Sequence, residues 1–220
     1  MKRKRSNFGD LWRLGIVQRG DVLLFDYSGC GGLRLQARVI RAVQRRLLRD
    51  LGVEEHVRIR ESGFSHAGLA GLAGERGVIL EMTSPRARLR QVSDLPRGVR
   101  VMVRRPRDGG EDIGEALGRR IEDCAWRDVS AGRRYPYGEL LTYWVWSWGL
   151  CKLLLGRRFA SVFRSDRADV CSGSVWRWCL EAGLYRDSSE GDLRPEAWYP
   201  ARLAADWEGG FRTVGVWELG

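Results

Sequence analysis

Lysine is nearly absent from this chain: Lys2, Lys4 and Lys152 are the only ones among 38 basic residues, and the rest are arginine. Histidine is scarcer, with His56 and His66 alone, so an imidazole-based activity has two candidates to choose from. The five cysteines, at 30, 124, 151, 171 and 179, are odd in number, scattered, and never spaced C-x-x-C. That pattern argues against a disulfide framework and against a zinc site, and it fits a reducing compartment. No apolar run is long enough to cross a bilayer. The longest, "YWVWSWGLCKLLLG" at 143–156, is short and carries Lys152, so it reads as a buried or interfacial helix. The basic start "MKRKRSNFGDLWRLG" has no apolar stretch behind it, so no secretory signal is expected. Internal repeats and low-complexity segments are missing too.

What is present is a chain of 220 residues, 44% apolar and 30% charged, the composition of a globular protein with one sizeable core. Its formal net charge of +10 favours anionic surfaces: nucleic acid, anionic lipid or cell-wall polymer. Residues 1–10 read as a basic tail. "DVLLF" (21–25) reads as a strand. Residues 33–52 repeat apolar positions at helical spacing, with arginines on the other face. That helix has charge but neither interleaved aromatics nor a known motif, so nucleic acid is not an expected partner.

The period then changes to two. "GFSHAGLAGL" (63–72), "GVILEMTS" (77–84) and "GVRVMVRRP" (98–106) read as strands, with Val78, Leu80 and Met82 on one face and Ile79 and Glu81 on the other. Helices are expected over 109–129, 137–155 and 171–182, followed by a polar, Trp-rich, Pro-punctuated docking segment over 186–220. The order gives an α+β fold, an antiparallel sheet packed against helices.

"DVCSGSVWRWCLEAG" (169–183) puts Cys171 at a predicted helix start, where unpaired N–H groups and the helix dipole favour a thiolate. A nucleophilic thiol needs a base, and the base needs an orienting group. His66 lies between small residues on a predicted strand. Glu81 interrupts an apolar run on the next strand, where a carboxylate is costly without a partner. If the strands pair, Glu81 can hold one imidazole nitrogen and leave the other for Cys171. Taken singly, each has a plain structural reading: a satisfied strand histidine, a solvated glutamate, an inert thiol.

"DVCSGSVW" resembles the nucleophile segment of the NlpC/P60 cysteine peptidases, here with Val170 inserted between Asp169 and Cys171. In that family the histidine follows the cysteine. Here "SHAG" precedes it by about a hundred residues, the order of the circularly permuted YiiX/YaeF-like and LRAT-like branch, with a papain-like fold. "RGDVLLF", "FSHAGLA", "GVILEMTSPRARLRQVSDL", "YPYGELL" and "LRPEAWYPARL" resemble further pieces of that branch in the same order, over roughly residues 19–205.

The resemblance implies Cys171 as nucleophile, His66 as general base and then acid, and Glu81 as orienting group. Tyr137 (or Tyr135) and Ser172 would support the site, and the Cys171 N–H would help stabilise the oxyanion. It implies neither metal nor cofactor. Residues 1–18 would be an N-terminal tail and 19–220 the hydrolase domain. The expected activity is a cysteine peptidase or amidase cleaving an amide, first of all in a peptidoglycan peptide. A chain made in the cytoplasm without a signal would then reach the wall in a phage particle or through a secretion machine. The alternatives are a lipid acyl hydrolase or acyltransferase of the LRAT-like type, or a structural assembly protein that kept the fold without activity. The 143–155 helix at a membrane interface would favour the lipid reading.

Overall fold

A computed structural model of the protein describes residues 8–30, 38, 40–42, 44, 45, 49, 54–135, 171–184, 203, 204 and 210–219. The expected Trp-rich helix over 137–155, with Tyr137, lies outside the described residues. So does most of the 186–209 segment.

Alternating side chains build the sheet. Its strands are β1 (Val22–Asp26), β2 (His66–Ala73), β3 (Arg76–Met82), β4 (Ala87–Gln91), β5 (Arg100–Asp108), β6 (Glu111–Asp112) and β7 (Phe211–Glu218). All pairings are antiparallel, in the order β4-β3-β2-β1-β5-β6, with β7 also paired to β5. The period of two sorts residues onto opposite faces. Val22, Leu24, Leu69, Val78 and Leu80 fall in one apolar cluster, and Leu23, Phe25, Ala70, Ile79, Val101 and Val103 in the other.

The first cluster is covered by α3 (Glu115–Ser130) and α4 (Cys171–Glu181), which pack on each other and on β2 and β3. Val175, Trp178 and Cys179, spaced three and four apart, put one face of α4 on the sheet. The second cluster takes Phe8, Leu11 and Val17 from the chain's start, where α1 (Asp10–Arg13) forms. Apolar residues at 8–17 thus pack into the core from within the segment expected to be a tail. A further short helix, α2 (Glu55–Glu61), precedes β2. The described residues of 33–52 are helical as expected. Its polar side chains bind structure: Arg41 reaches Asp26 at 3.3 Å, and Gln44 donates to the Phe64 carbonyl at 2.7 Å.

Three expectations need correction. The helix expected over 109–129 starts at Glu115, because Gly109 and Gly110 turn the chain with positive φ and Glu111–Asp112 pair with β5. The stretch after Met82 contains the strand β4. The last part of the expected docking segment is the strand β7, held to β5 by backbone pairing and by Arg104, which donates to Thr213 Oγ1 at 2.6 Å and to the Phe211 carbonyl at 2.7 Å.

Helix α4 is fixed to α3 by one buried carboxylate. Asp128 accepts a bond from Trp178 Nε1 at 2.8 Å and from Arg177, and lies 3.7 Å from Arg133. Truncating it strands a buried indole N–H without its acceptor. Asp128→Ala should therefore lower unfolding free energy by about 1–3 kcal/mol in urea titrations, and Asp128→Asn, which keeps an acceptor, by less.

Candidate active site

The site begins with register. Phe25 on β1 lies opposite His66 on β2, and Glu81 on β3 lies opposite Arg88 on β4. Ala70 pairs with Ile79, so His66 and Glu81 point to the same face of the sheet as those two residues. Between them on that face is Gly68, where an added Cβ would come 3.5 Å from the Glu81 Cβ and 2.9 Å from Ile79 Cγ2. The missing side chain leaves the diagonal open. His66 Nε2 meets Glu81 Oε2 at 2.8 Å.

Glu81 is wholly buried. Its other oxygen, Oε1, accepts from Arg88 Nε at 2.9 Å and lies 3.0 Å from Arg90 Nη2. Arg90 Nη1 in turn donates to the Tyr27 hydroxyl at 2.8 Å. Tyr27 and Phe25 pack beside the imidazole, with ring centroids 6.3 and 5.8 Å from it.

Cys171 is the first residue of α4 and is 7% exposed. Its thiol hydrogen-bonds the His66 side chain, and backbone bonds from Ala67 and Ser172 also reach the sulfur. With Nε2 engaged by Glu81, Nδ1 is the ring nitrogen left for the thiol. The sequence-predicted trio is therefore brought together, from the start of β2, the end of β3 and the start of α4. Ser172 is buried beside Cys171. Tyr135 is half-buried and donates its N–H to the Pro85 carbonyl at 2.9 Å.

The charges in this row sustain one another. Burial pushes the Glu81 carboxyl up, but the His66 charge and hydrogen bond, with Arg90 and Arg88, outweigh it and hold it at about 2. Burial alone would lower His66, yet the Cys171 and Glu81 charges raise it well above an ordinary histidine. Burial would raise Cys171, and His66 together with the Ala67 and Ser172 backbone brings it below an ordinary thiol. The other described cysteines shift the opposite way: burial raises Cys30 and Cys124, and pushes Cys179 up to about 12. The Cys171 and His66 shifts both run in the direction that favours a thiolate beside an imidazolium, the arrangement a nucleophile and its proton carrier require.

Sequence reasoning missed Arg88, Arg90 and Tyr27. The signal for the first two is the alternation in "RARLRQ" (86–91), a period of two carried by arginines instead of apolar residues. Among the described residues no group of acidic, histidine and cysteine side chains has the arrangement of a metal site, and no helix is long and apolar enough to cross a membrane. Set against known proteins, the chain matches no family model and no curated sequence.

A depressed carboxyl ties stability to pH in a definite direction. With a folded value of about 2 against an ordinary 4.5, Glu81 stabilises the fold above pH 4.5, and that contribution disappears as pH falls from about 5 toward 2. The contribution is on the order of 3 kcal/mol. The stability gap between wild type and Glu81→Gln, measured by urea unfolding, should be widest near neutrality and should narrow steadily below pH 5.

Proposed function

We propose that the protein is a thiol hydrolase of the permuted, papain-related NlpC/P60-like kind, cleaving an amide bond through a cysteine acyl-enzyme. The observation that carries this reading is the continuous row Cys171–His66–Glu81, in which a helix-start thiol with a lowered pKa faces a histidine fixed by a buried carboxylate. The resemblance of the nucleophile, histidine and third-residue segments supports it, as does their order along the chain.

In this mechanism the Cys171 thiolate attacks the amide carbonyl carbon. The oxygen of the tetrahedral intermediate is stabilised by backbone N–H groups at the start of α4, that of Cys171 among them. His66 gives its proton to the leaving amine as the C–N bond breaks, leaving a thioester. It then takes a proton from water, which attacks the thioester, and returns the proton to the departing sulfur. Glu81 does not exchange protons. It sets the ring orientation through Nε2 and stabilises the imidazolium.

The substrate class proposed is a peptidoglycan peptide, in keeping with the chain's basic charge. Purified protein incubated in parallel with muropeptides and phospholipid vesicles should release new amino termini from the former. Fatty acid release instead would move the substrate to lipid esters, and neither product would count against an enzyme. Cys171→Ala and His66→Ala should abolish turnover while leaving the fold intact. Glu81→Gln should retain some activity, lowered about ten- to a thousandfold, because the nucleophile and oxyanion donors remain. Wild-type turnover by Cys171→Ala would end the proposal.

A further inference from the structure

We infer that the cavity beside the arginines that hold Glu81 binds a carboxylate of the substrate, selected by Arg88 and Tyr27. Its use in catalysis rests on the thiol-hydrolase reading; the binding itself rests on the cavity. The cavity is about 410 Å³, within the range of small-molecule sites, and is lined by Tyr27, Arg88, Leu89, Arg90, Asp94 and Pro96.

Two of its donors are unspent. Arg88 uses Nε on Glu81, and its terminal nitrogens have no partner among the described residues; the side chain is 47% exposed. Tyr27 is only 7% exposed, and its oxygen already accepts from Arg90 Nη1. The hydroxyl proton must therefore point elsewhere, and no acceptor for it is present among the described residues. An anion in the cavity would supply that acceptor. Arg90 is different: one terminal nitrogen is on Glu81 and the other on Tyr27, so it braces the wall.

The charge count favours a monoanion. Of the charged groups that line the cavity, Arg88 and Arg90 outnumber Asp94 by one, and the buried Glu81 is shared with His66. Asp94 is the other charged group facing the cavity. It is exposed and accepts from Ser93 Oγ at 3.3 Å, and its charge opposes a dianion such as phosphate. An arginine fork with a hydroxyl donor matches a carboxylate in geometry as well as charge. The Tyr27 ring centroid is 6.3 Å from that of His66, and Arg88 and Arg90 both bond Glu81, so the cavity borders the catalytic row and a carboxylate held here is placed to belong to the same substrate molecule as the attacked bond.

The inference can be tested without knowing the substrate. Bromoacetyl-glycylglycine, as free acid and as amide, would be reacted with the protein and Cys171 alkylation followed by mass spectrometry. Iodoacetate and iodoacetamide serve as the pair too short to span the distance. The long acid should outpace its amide by about tenfold beyond the ratio of the short pair. Tyr27→Phe and Arg88→Gln should each remove most of that excess, and Arg119→Gln, on the exposed face of α3, should keep it. Normalising each acid to its amide separates carboxylate binding from any change in the thiol caused by losing an Arg88–Glu81 bond. An excess near one, an excess unchanged in both variants, or stronger protection by inorganic phosphate than by acetyl-glycylglycine would overturn the assignment. If wild-type Cys171 reacts with iodoacetamide no faster than Cys30 or Cys124, the hydrolase reading fails on its own. The cavity is then read by NMR titration of Cys171→Ala with acetyl-glycylglycine and its amide: acid-selective shifts that vanish in Tyr27→Phe support it, and equal shifts refute it.

Discussion

A carboxylate with no access to water must be surrounded by positive charge or give up its own. Glu81 is in that position, and much of the surrounding structure follows from it. Its oxygens are shared among His66, Arg88 and Arg90, residues of β2 and β4 on either side of it. Shifting either strand by one residue would turn those partners to the opposite face and leave the charge uncompensated, so the ion cluster and the strand register specify each other. The cluster also sets the state of the chemistry. A carboxylate held at about 2 remains charged throughout the physiological range, and that fixed charge raises His66.

The nucleophile reaches this cluster from a separate part of the chain. Helix α4 is placed by its apolar face on β2 and β3 and by the bonds of Trp178 and Arg177 to Asp128 on α3. Nothing in that arrangement involves Glu81. The site is thus assembled from two independently fixed halves, an imidazole oriented on the sheet and a thiol at a helix start, which meet at the His66–Cys171 hydrogen bond.

What could be read in the sequence follows from which signals are local. The alternation in "VILEMT" and "VRVMV" places Ile79 with Glu81 and groups Val99, Val101 and Val103, and the structure puts Ile79 and those valines in one cluster. Cys171 at a helix start was legible for the same reason, as small polar residues precede a segment of helical period. Strands β4 and β7 were not. Polar residues occupy successive or alternate positions in both, Arg88 and Arg90 in β4 and Arg212 and Thr213 in β7, so the apolar contrast that marks a strand is weak, and their pairing partners are specified by tertiary contact. The arginines on Glu81 escaped notice for that reason: without β4 as a strand, nothing in one dimension brings Arg88 and Arg90 back to residue 81.

The central claim is that Glu81 and His66 keep Cys171 as a thiolate at pH values where a free thiol is protonated. The direct measurement is the rate of Cys171 alkylation by iodoacetamide from pH 4 to 10, site-resolved by mass spectrometry, with Cys30 and Cys124 as internal references. The account predicts that Cys171 gains reactivity at lower pH than an ordinary thiol and reaches its plateau first, while the reference thiols, raised by burial, gain reactivity only at higher pH. A Cys171 profile that rises in a single step with the reference thiols would contradict it.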